Sequence, residues 1–183
     1  AADGQGRLWI ATSGLEYTDA FGLYRLDPRL YPPDATTLLQ VVVGTPGAEL
    51  KSDMLNAVAV DGNYVWIGYP DDGVSRWNLG VDRQPLTSDD RWTQFTDTQE
   101  RNALIGNKVK RIVPGPDGRI WIGTTAGLTI FDDPKLINIA ADGRLPTAEV
   151  NDIIPLADGG AFVATRGGGL TRLTPRSLGG FTY

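Results

Sequence analysis

One stretch of this sequence constrains the rest, because it recurs. Gly118-Arg119-Ile120-Trp121-Ile122-Gly123-Thr124 runs through Thr125-Ala126 into Gly127-Leu128-Thr129-Ile130-Phe131-Asp132. Gly6-Arg7-Leu8-Trp9-Ile10-Ala11-Thr12 copies its first half, and Gly22-Leu23-Tyr24-Arg25-Leu26-Asp27 its second. Tyr64-Val65-Trp66-Ile67-Gly68 with Gly73-Val74-Ser75-Arg76-Trp77-Asn78 is another copy. Gly160-Ala161-Phe162-Val163-Ala164-Thr165 with Gly169-Leu170-Thr171-Arg172-Leu173-Thr174 is a fourth. The aromatic position recurs at intervals of about 40 to 60 residues, a spacing that belongs to repeat architectures.

The parts of each unit identify its type. A short apolar strand comes first: Leu55-Asn56-Ala57-Val58, Val109-Lys110-Arg111-Ile112 or Val150-Asn151-Asp152-Ile153. Its apolar residues stand three apart, so a regular strand turns them to opposite faces and is packed on both. An Asp-Gly turn follows at Asp61-Gly62, Asp117-Gly118 and Asp158-Gly159, a hairpin signal because Gly tolerates positive φ. Then comes the nearly apolar strand with Trp or Phe, and after another turn a more polar third strand. A weaker fourth strand is predicted at 37–43, 92–96, 136–140 and 181–183. No segment has a helical period. Four short antiparallel strands, losing apolar content from inner to outer, describe a propeller blade. The expectation is an all-β fold of about four blades in one domain over 1–183, with repeats at 1–48, 49–100, 101–144 and 145–183. Trp9, Trp66, Trp121 and Phe162 are read as interblade core.

The first unit has no inner strand of its own, and the chain closes on the fourth strand of the last. The expectation is therefore a part of a larger ring, completed by further blades from the same polypeptide or from another chain, and an isolated segment that associates through raw edges.

Composition narrows the chemistry. The chain has 183 residues, 41% hydrophobic and 21% charged, an ordinary globular balance. A net charge of -5 argues against nucleic acid, which needs a basic footprint. No Cys and no His are present, which removes disulfides, thiolate or imidazole metal sites and His-based triads. No apolar run is long enough for a membrane span, so direct membrane insertion is not expected.

The acid pairs Asp71-Asp72, Asp89-Asp90 and Asp132-Asp133 do not make a glycosidase pair, which needs carboxyls facing each other about 5 to 10 Å apart. Asp61, Asp117 and Asp158 are read as turn residues rather than calcium ligands, which must converge from several segments. No catalytic residue, metal site or cofactor is predicted. The candidate ligand residues lie in loops between second and third strands, which gather on one face of a propeller. They are Glu16, Tyr17, Asp19 and Phe21 in the first unit and Tyr69, Asp71 and Asp72 in the second. Thr124, Thr125 and Arg166 complete the set. Aromatic rings among acids and an arginine suit a carbohydrate or another small polar ligand.

The pattern Asp-Gly-x-hydrophobic-Trp-Ile-Gly-Thr-x-x-Gly-Leu-x-x-hydrophobic-Asp at Asp117 to Asp132 resembles the two-component regulator propeller repeat. Tyr64 to Asn78 and Gly6 to Asp27 match it around insertions, and Asp158 to Thr174 matches with Phe162 in place of Trp. That family forms large β-propellers in the periplasmic sensor regions of bacterial hybrid histidine kinases and in related secreted proteins. The resemblance implies a non-catalytic ligand-binding or sensory segment of an exported bacterial protein, periplasmic or extracellular. A structural or interaction module that docks a partner chain is the alternative, and a glycan-processing enzyme a distant one.

Overall fold

The computed structural model describes all residues except 14–20, 31, 34–36, 101–102, 143–144, 177–180 and 183. Among the described residues the fold is all-β, with four antiparallel sheets following one another along the chain. The first holds β1 (Leu8–Thr12), β2 (Gly22–Leu26) and β3 (Leu38–Val41). The second holds β4 (Ala57–Asp61), β5 (Tyr64–Gly68), β6 (Val74–Asn78) and β7 (Arg91–Phe95). The third holds β8 (Val109–Pro114), β9 (Ile120–Thr124), β10 (Leu128–Asp132) and β11 (Lys135–Ile139). The fourth holds β12 (Val150–Pro155), β13 (Ala161–Thr165), β14 (Gly169–Pro175) and β15 (Phe181–Thr182). Each sheet is a meander, the topology of a propeller blade.

The repeated aromatics are interblade core. Trp9 meets Trp77 of the second blade edge-on at 6.0 Å. Trp66 stacks on Phe95 of its own blade and meets Phe131 of the third at 5.0 Å. Trp121 meets Phe181 of the fourth blade at 5.4 Å. All three are at most 1% exposed. Phe162, with no following blade among the described residues, is only half-buried. Arg76 sits opposite Trp66 in the ladder, its guanidinium 5.0 Å over Tyr64 and 5.2 Å over Phe131. A cation therefore joins this seam through ring faces.

Inner strands depart from the expected alternation. β8 carries an irregularity between Val109 and Arg111, and β12 one between Val150 and Asp152. The extra residue resets the alternation, so residues three apart share a face. Val109 and Ile112 both lie against Gly68 of the preceding blade, and Val150 and Ile153 both lie against Gly123. Gly68 and Gly123 are small because the next inner strand occupies the space of a side chain. The second blade's inner strand also begins at Ala57 rather than at Leu55. Leu55 is buried, and its N–H bonds the carbonyl of Thr12 across the blade boundary. Val109 N–H to Tyr69 carbonyl repeats that bond at the next boundary.

The first blade is less bare than expected. Ala2 bridges Leu8, and Ala1 and Trp9 exchange two hydrogen bonds of 2.8 Å. Ala1 and Ala2 thus occupy the lane of an inner strand alongside the first half of β1.

Candidate functional site

The turns between second and third strands gather where the inner strands begin, and the structure divides the candidate residues sharply. Tyr69 follows β5 and is fully buried rather than displayed on a rim. Its hydroxyl pairs with Ser75 Oγ at 2.9 Å and accepts the Lys51 N–H at 3.3 Å. Burial pushes the phenol pKa up. Ser75 donates to Gln94 Oε1 at 2.6 Å, and Gln94 Nε2 donates to the carbonyl of Asp72. Tyr69 therefore holds the turn from beneath. The turn closes through Tyr69 N–H to Gly73 carbonyl, and Gly73 is required there. Its φ is +73°, and a Cβ would lie 2.2 Å from the carbonyl oxygen of Phe95.

Thr124 is also buried, against the rim expectation. Its hydroxyl donates to Gly127 carbonyl at 3.0 Å and accepts the Ala126 N–H at 3.1 Å, closing its own turn. Phe21 is half-buried, and its carbonyl accepts Gln40 Nε2 at 3.0 Å. Glu16, Tyr17 and Asp19 lie outside the described residues.

Asp71, Asp72, Thr125 and Arg166 are exposed. Three residues outside the predicted ligand set stand among them: Lys108, Lys110 and Glu149. Asp71 pairs with Lys108 at 3.1 Å. Glu149 accepts Lys110 Nζ at 2.6 Å and Arg166 Nη1 at 3.2 Å, joining the third and fourth blades. The Lys110 hydrogen bond, with Arg166 behind it, holds the Glu149 carboxyl below its ordinary range. Lys110 also reaches Asn151 at 2.7 Å. The signal for these three was available: each lies at the polar start of an inner strand, and inner strands begin beside the turns in question. The result is a rim of alternating charges, with cations and anions satisfied against one another.

The acid pair Asp89-Asp90 builds a turn. Asp90 Oδ2 accepts Trp77 Nε1 at 2.9 Å and Leu86 N–H at 2.7 Å. Asp89 accepts Val81 N–H at 2.8 Å and the Thr87 hydroxyl at 2.7 Å. Both carboxylates thus fold the insertion before β7 back onto its blade. Among the described residues no group of three or more acids is gathered as for a metal ion.

A groove lies away from this rim, along the free edge of β1. Trp9, Ile10, Ala11, Ala57, Val58 and Ile112 line it, with Arg111 across from the edge. The outward faces of the end blades are apolar as well. Leu8 and Ile10 are 36% and 40% exposed, and Ile154 and Leu170 are 59% and 67% exposed. Val65, Ile67, Ile120 and Ile122, at the positions of Leu8 and Ile10 in the middle blades, are at most 1% exposed.

Residues 103–126 match the two component regulator propeller family. The match takes in the third blade's inner strand and its Trp121 strand. It superimposes on the extracellular domain of the hybrid two-component system BT3049 from B. thetaiotaomicron, with a TM-score of 0.70 at 21% identity over 95% of this chain. The extracellular domain of the one-component system BT4673 from the same organism gives a TM-score of 0.63 at 22% identity over 99%. PorZ, a surface component of the type-IX secretion system of Porphyromonas gingivalis, gives 0.58 at 20% identity over 94%. At these identities the likeness establishes the propeller fold. This chain spans 22%, 20% and 25% of those three chains, respectively. Among curated proteins none matches the sequence significantly. No helix among the described residues is long and apolar enough to cross a membrane.

Proposed function

We propose that this chain is a non-catalytic, ligand-binding sensory segment of an exported bacterial protein, acting outside the cytoplasm. The observation that carries the reading is the family repeat at residues 103–126, set in a fold shared with extracellular domains of bacterial regulatory systems. The charged rim supplies the contact surface. Asp71, Glu149 and Arg166 offer carboxylate oxygens and a guanidinium fork, groups that hydrogen-bond the hydroxyls of a carbohydrate or the polar groups of another small ligand. Loops on a rigid repeat scaffold are where such contacts are commonly placed.

Thermal melting against a panel of neutral and acidic oligosaccharides tests this. Binding to the folded state alone raises the melting temperature with ligand concentration. An active glycan should lose its effect in Arg166→Ala and Asp71→Ala, whose own stability should be little changed because both replaced side chains are exposed. A flat response across the panel removes the carbohydrate reading.

A second reading is a module that docks protein through its end blades. The exposure of Leu8, Ile10, Ile154 and Leu170 favours it, since contiguous apolar surface marks interaction sites. Further blades, from the same polypeptide or from another chain, are the natural cover. Native mass spectrometry discriminates the two readings: a docking module associates, whereas a ligand-binding segment stays monomeric and gains only the ligand's mass.

A further inference from the structure

Arginine recurs across the ladder from the repeated aromatic. Arg25 stands opposite Trp9, Arg76 opposite Trp66 and Arg172 opposite Phe162. In the third blade Ile130 takes that place opposite Trp121. Two of the three guanidiniums find an acceptor within the chain. Arg25 donates to Gln84 Oε1 at 3.5 Å, and Arg172 to Asp158 Oδ2 at 2.7 Å. Arg76 does not: among the described residues none accepts a hydrogen bond from its guanidinium or pairs with its charge.

Its surroundings make that unusual. The centroids of Tyr64, Trp66, Phe95 and Phe131 lie 5.0 to 5.6 Å from Arg76 Cζ. Ring faces attract the cation, but they displace its water and offer no oxygen to its five N–H donors. Arg76 is half-buried, and Thr93, its partner on β7, is exposed. Solvent therefore reaches the guanidinium from the outer edge of the seam between the second and third blades.

The fourth blade specifies what fits there. Asp158, which holds Arg172, stands four residues before Phe162, and the residue four before Trp66 is Gly62. A Cβ on Gly62 would meet nothing within 4 Å. Asp61 faces Tyr64 across the ladder but forms no ion pair with Arg76. The second blade thus keeps the arginine and lacks its carboxylate.

We propose that Arg76 is a binding site for the carboxylate of a small acidic ligand, which enters the seam from its outer edge. The carboxylate takes the part that Asp158 plays for Arg172 and accepts two parallel N–H bonds from the guanidinium fork. Rings on the other sides lower the local dielectric, which strengthens the pair relative to one in open water. Tyr64 and Leu136, both half-buried against this core, form the wall for the body of the ligand. Tyr64 opens β5, whereas the charged rim lies beyond its other end at Gly68. The two sites are separate, so failure here leaves the rim reading standing.

Titration with sodium benzoate and with sodium glucuronate provides the test, at constant ionic strength and read on the Nε–Hε resonance of Arg76. That resonance is assigned by its loss in Arg76→Lys, which keeps a cation over the rings and so keeps the fold. At least one acid should shift it saturably at millimolar concentration, as suits a single charge-assisted pair. The tighter of the two tells an aryl acid from a sugar acid. Benzamide and glucose, which lack the carboxylate, should leave the resonance in place. Affinity followed on the Trp66 indole N–H should fall about fivefold or more in Arg76→Lys, because an ammonium lacks the planar fork. No saturable shift with either acid, equal shifts with the neutral compounds, undiminished affinity in Arg76→Lys, or shifts confined to the rim would each overturn the proposal.

Discussion

Replacing Gly68 by Ala gives the sharpest test of how the blades are stacked, because local and interblade physics predict opposite signs. Gly68 ends β5 without positive φ, so its backbone suits alanine. Strand propensity alone makes the substitution stabilising by about 0.5–1 kcal/mol, since Gly loses more freedom on folding. The packing argues otherwise. A Cβ at residue 68 would stand 2.5 Å from Val109 Cγ1, 3.1 Å from Val109 Cβ and 3.2 Å from Ile112 Cδ1. Both side chains belong to the bulged inner strand of the next blade, and Val109, which makes the closest contact, is fully buried. Overpacking of this kind costs about 1–3 kcal/mol, which outweighs the entropic gain. Gly68→Ala should therefore destabilise in urea titration at unchanged m-value. Val109→Ala in the same background should relieve the clash, with a favourable coupling of about 1 kcal/mol or more in the double-mutant cycle. If Gly68→Ala stabilised the protein, or the two changes were additive, the interblade contact would be wrong.

Trp121→Ala should cost about 3–5 kcal/mol by chemical denaturation, as for a large aromatic truncated in a core; a smaller loss than for exposed Thr125→Ala would invert the assignment of core and rim. Tyr69→Phe should cost about 0.5–1.5 kcal/mol, because it removes the hydroxyl shared with Ser75 and Lys51 while keeping the ring; an unchanged midpoint would mean the hydroxyl is idle. Asp3 predicts a pH dependence: burial raises its pKa, but bonds from the side chains of Trp9 and Arg7 and from two backbone N–H groups together hold it below 3.8. A carboxyl depressed in the folded state stabilises above its unfolded pKa and loses that contribution as pH falls through the folded value. Asp3→Asn should therefore be less stable at neutral pH and show a shallower loss of stability on acidification below about pH 4; parallel acid profiles would refute the role.

Most of the architecture was legible because it repeats. A Trp or Phe at one position in every unit, flanked by apolar neighbours, admits little besides a double-sided strand, and the structure places that strand second in each of the three four-stranded blades and at the edge of the first. The inner strands were legible as strands but not in their facing. Val109 and Ile112 stand three apart, and alternation assigns them to opposite sides until a bulge shifts the parity. No residue between them signals the bulge; it follows from Gly68 on the preceding blade, which leaves room for both side chains. The bridging role of Ala1 and Ala2 was likewise hidden, since two alanines carry no strand signal apart from the β1 backbone they meet.

The candidate rim was half legible, for a definable reason. Sequence position locates a turn but does not orient its first residue. Tyr69 and Thr124 occupy equivalent places just past Gly68 and Gly123, and each turns inward to bond a group that alternation along the chain cannot identify. For Thr124 the group is Gly127, three residues on. For Tyr69 the groups are Ser75 across the hairpin and Lys51 before the blade begins. The exposed half of the rim follows a different logic. Lys108, Lys110 and Glu149 precede or interrupt the apolar pairs of inner strands, and strand geometry carries their charged ends to the mouth of the turns. There they meet Asp71 and Arg166 from neighbouring second-to-third turns. Asp71–Lys108 and Lys110–Glu149 each cross a blade boundary, whereas Glu149–Arg166 lies within the fourth blade, so the rim depends on the stacking that Gly68 and Gly123 permit. A substitution that wedges two blades apart should therefore disturb the ion pairs at the rim without touching a rim residue. Gly123→Ala, whose Cβ would lie 2.7 Å from Val150 Cγ1, is the case to examine. The Lys110–Glu149–Arg166 chain spans that same boundary, and its side-chain resonances should shift, whereas those of Asp71 and Lys108, one boundary away, should not. Equal shifts at both pairs would mean that the blades move as one body and that the rim is not set boundary by boundary.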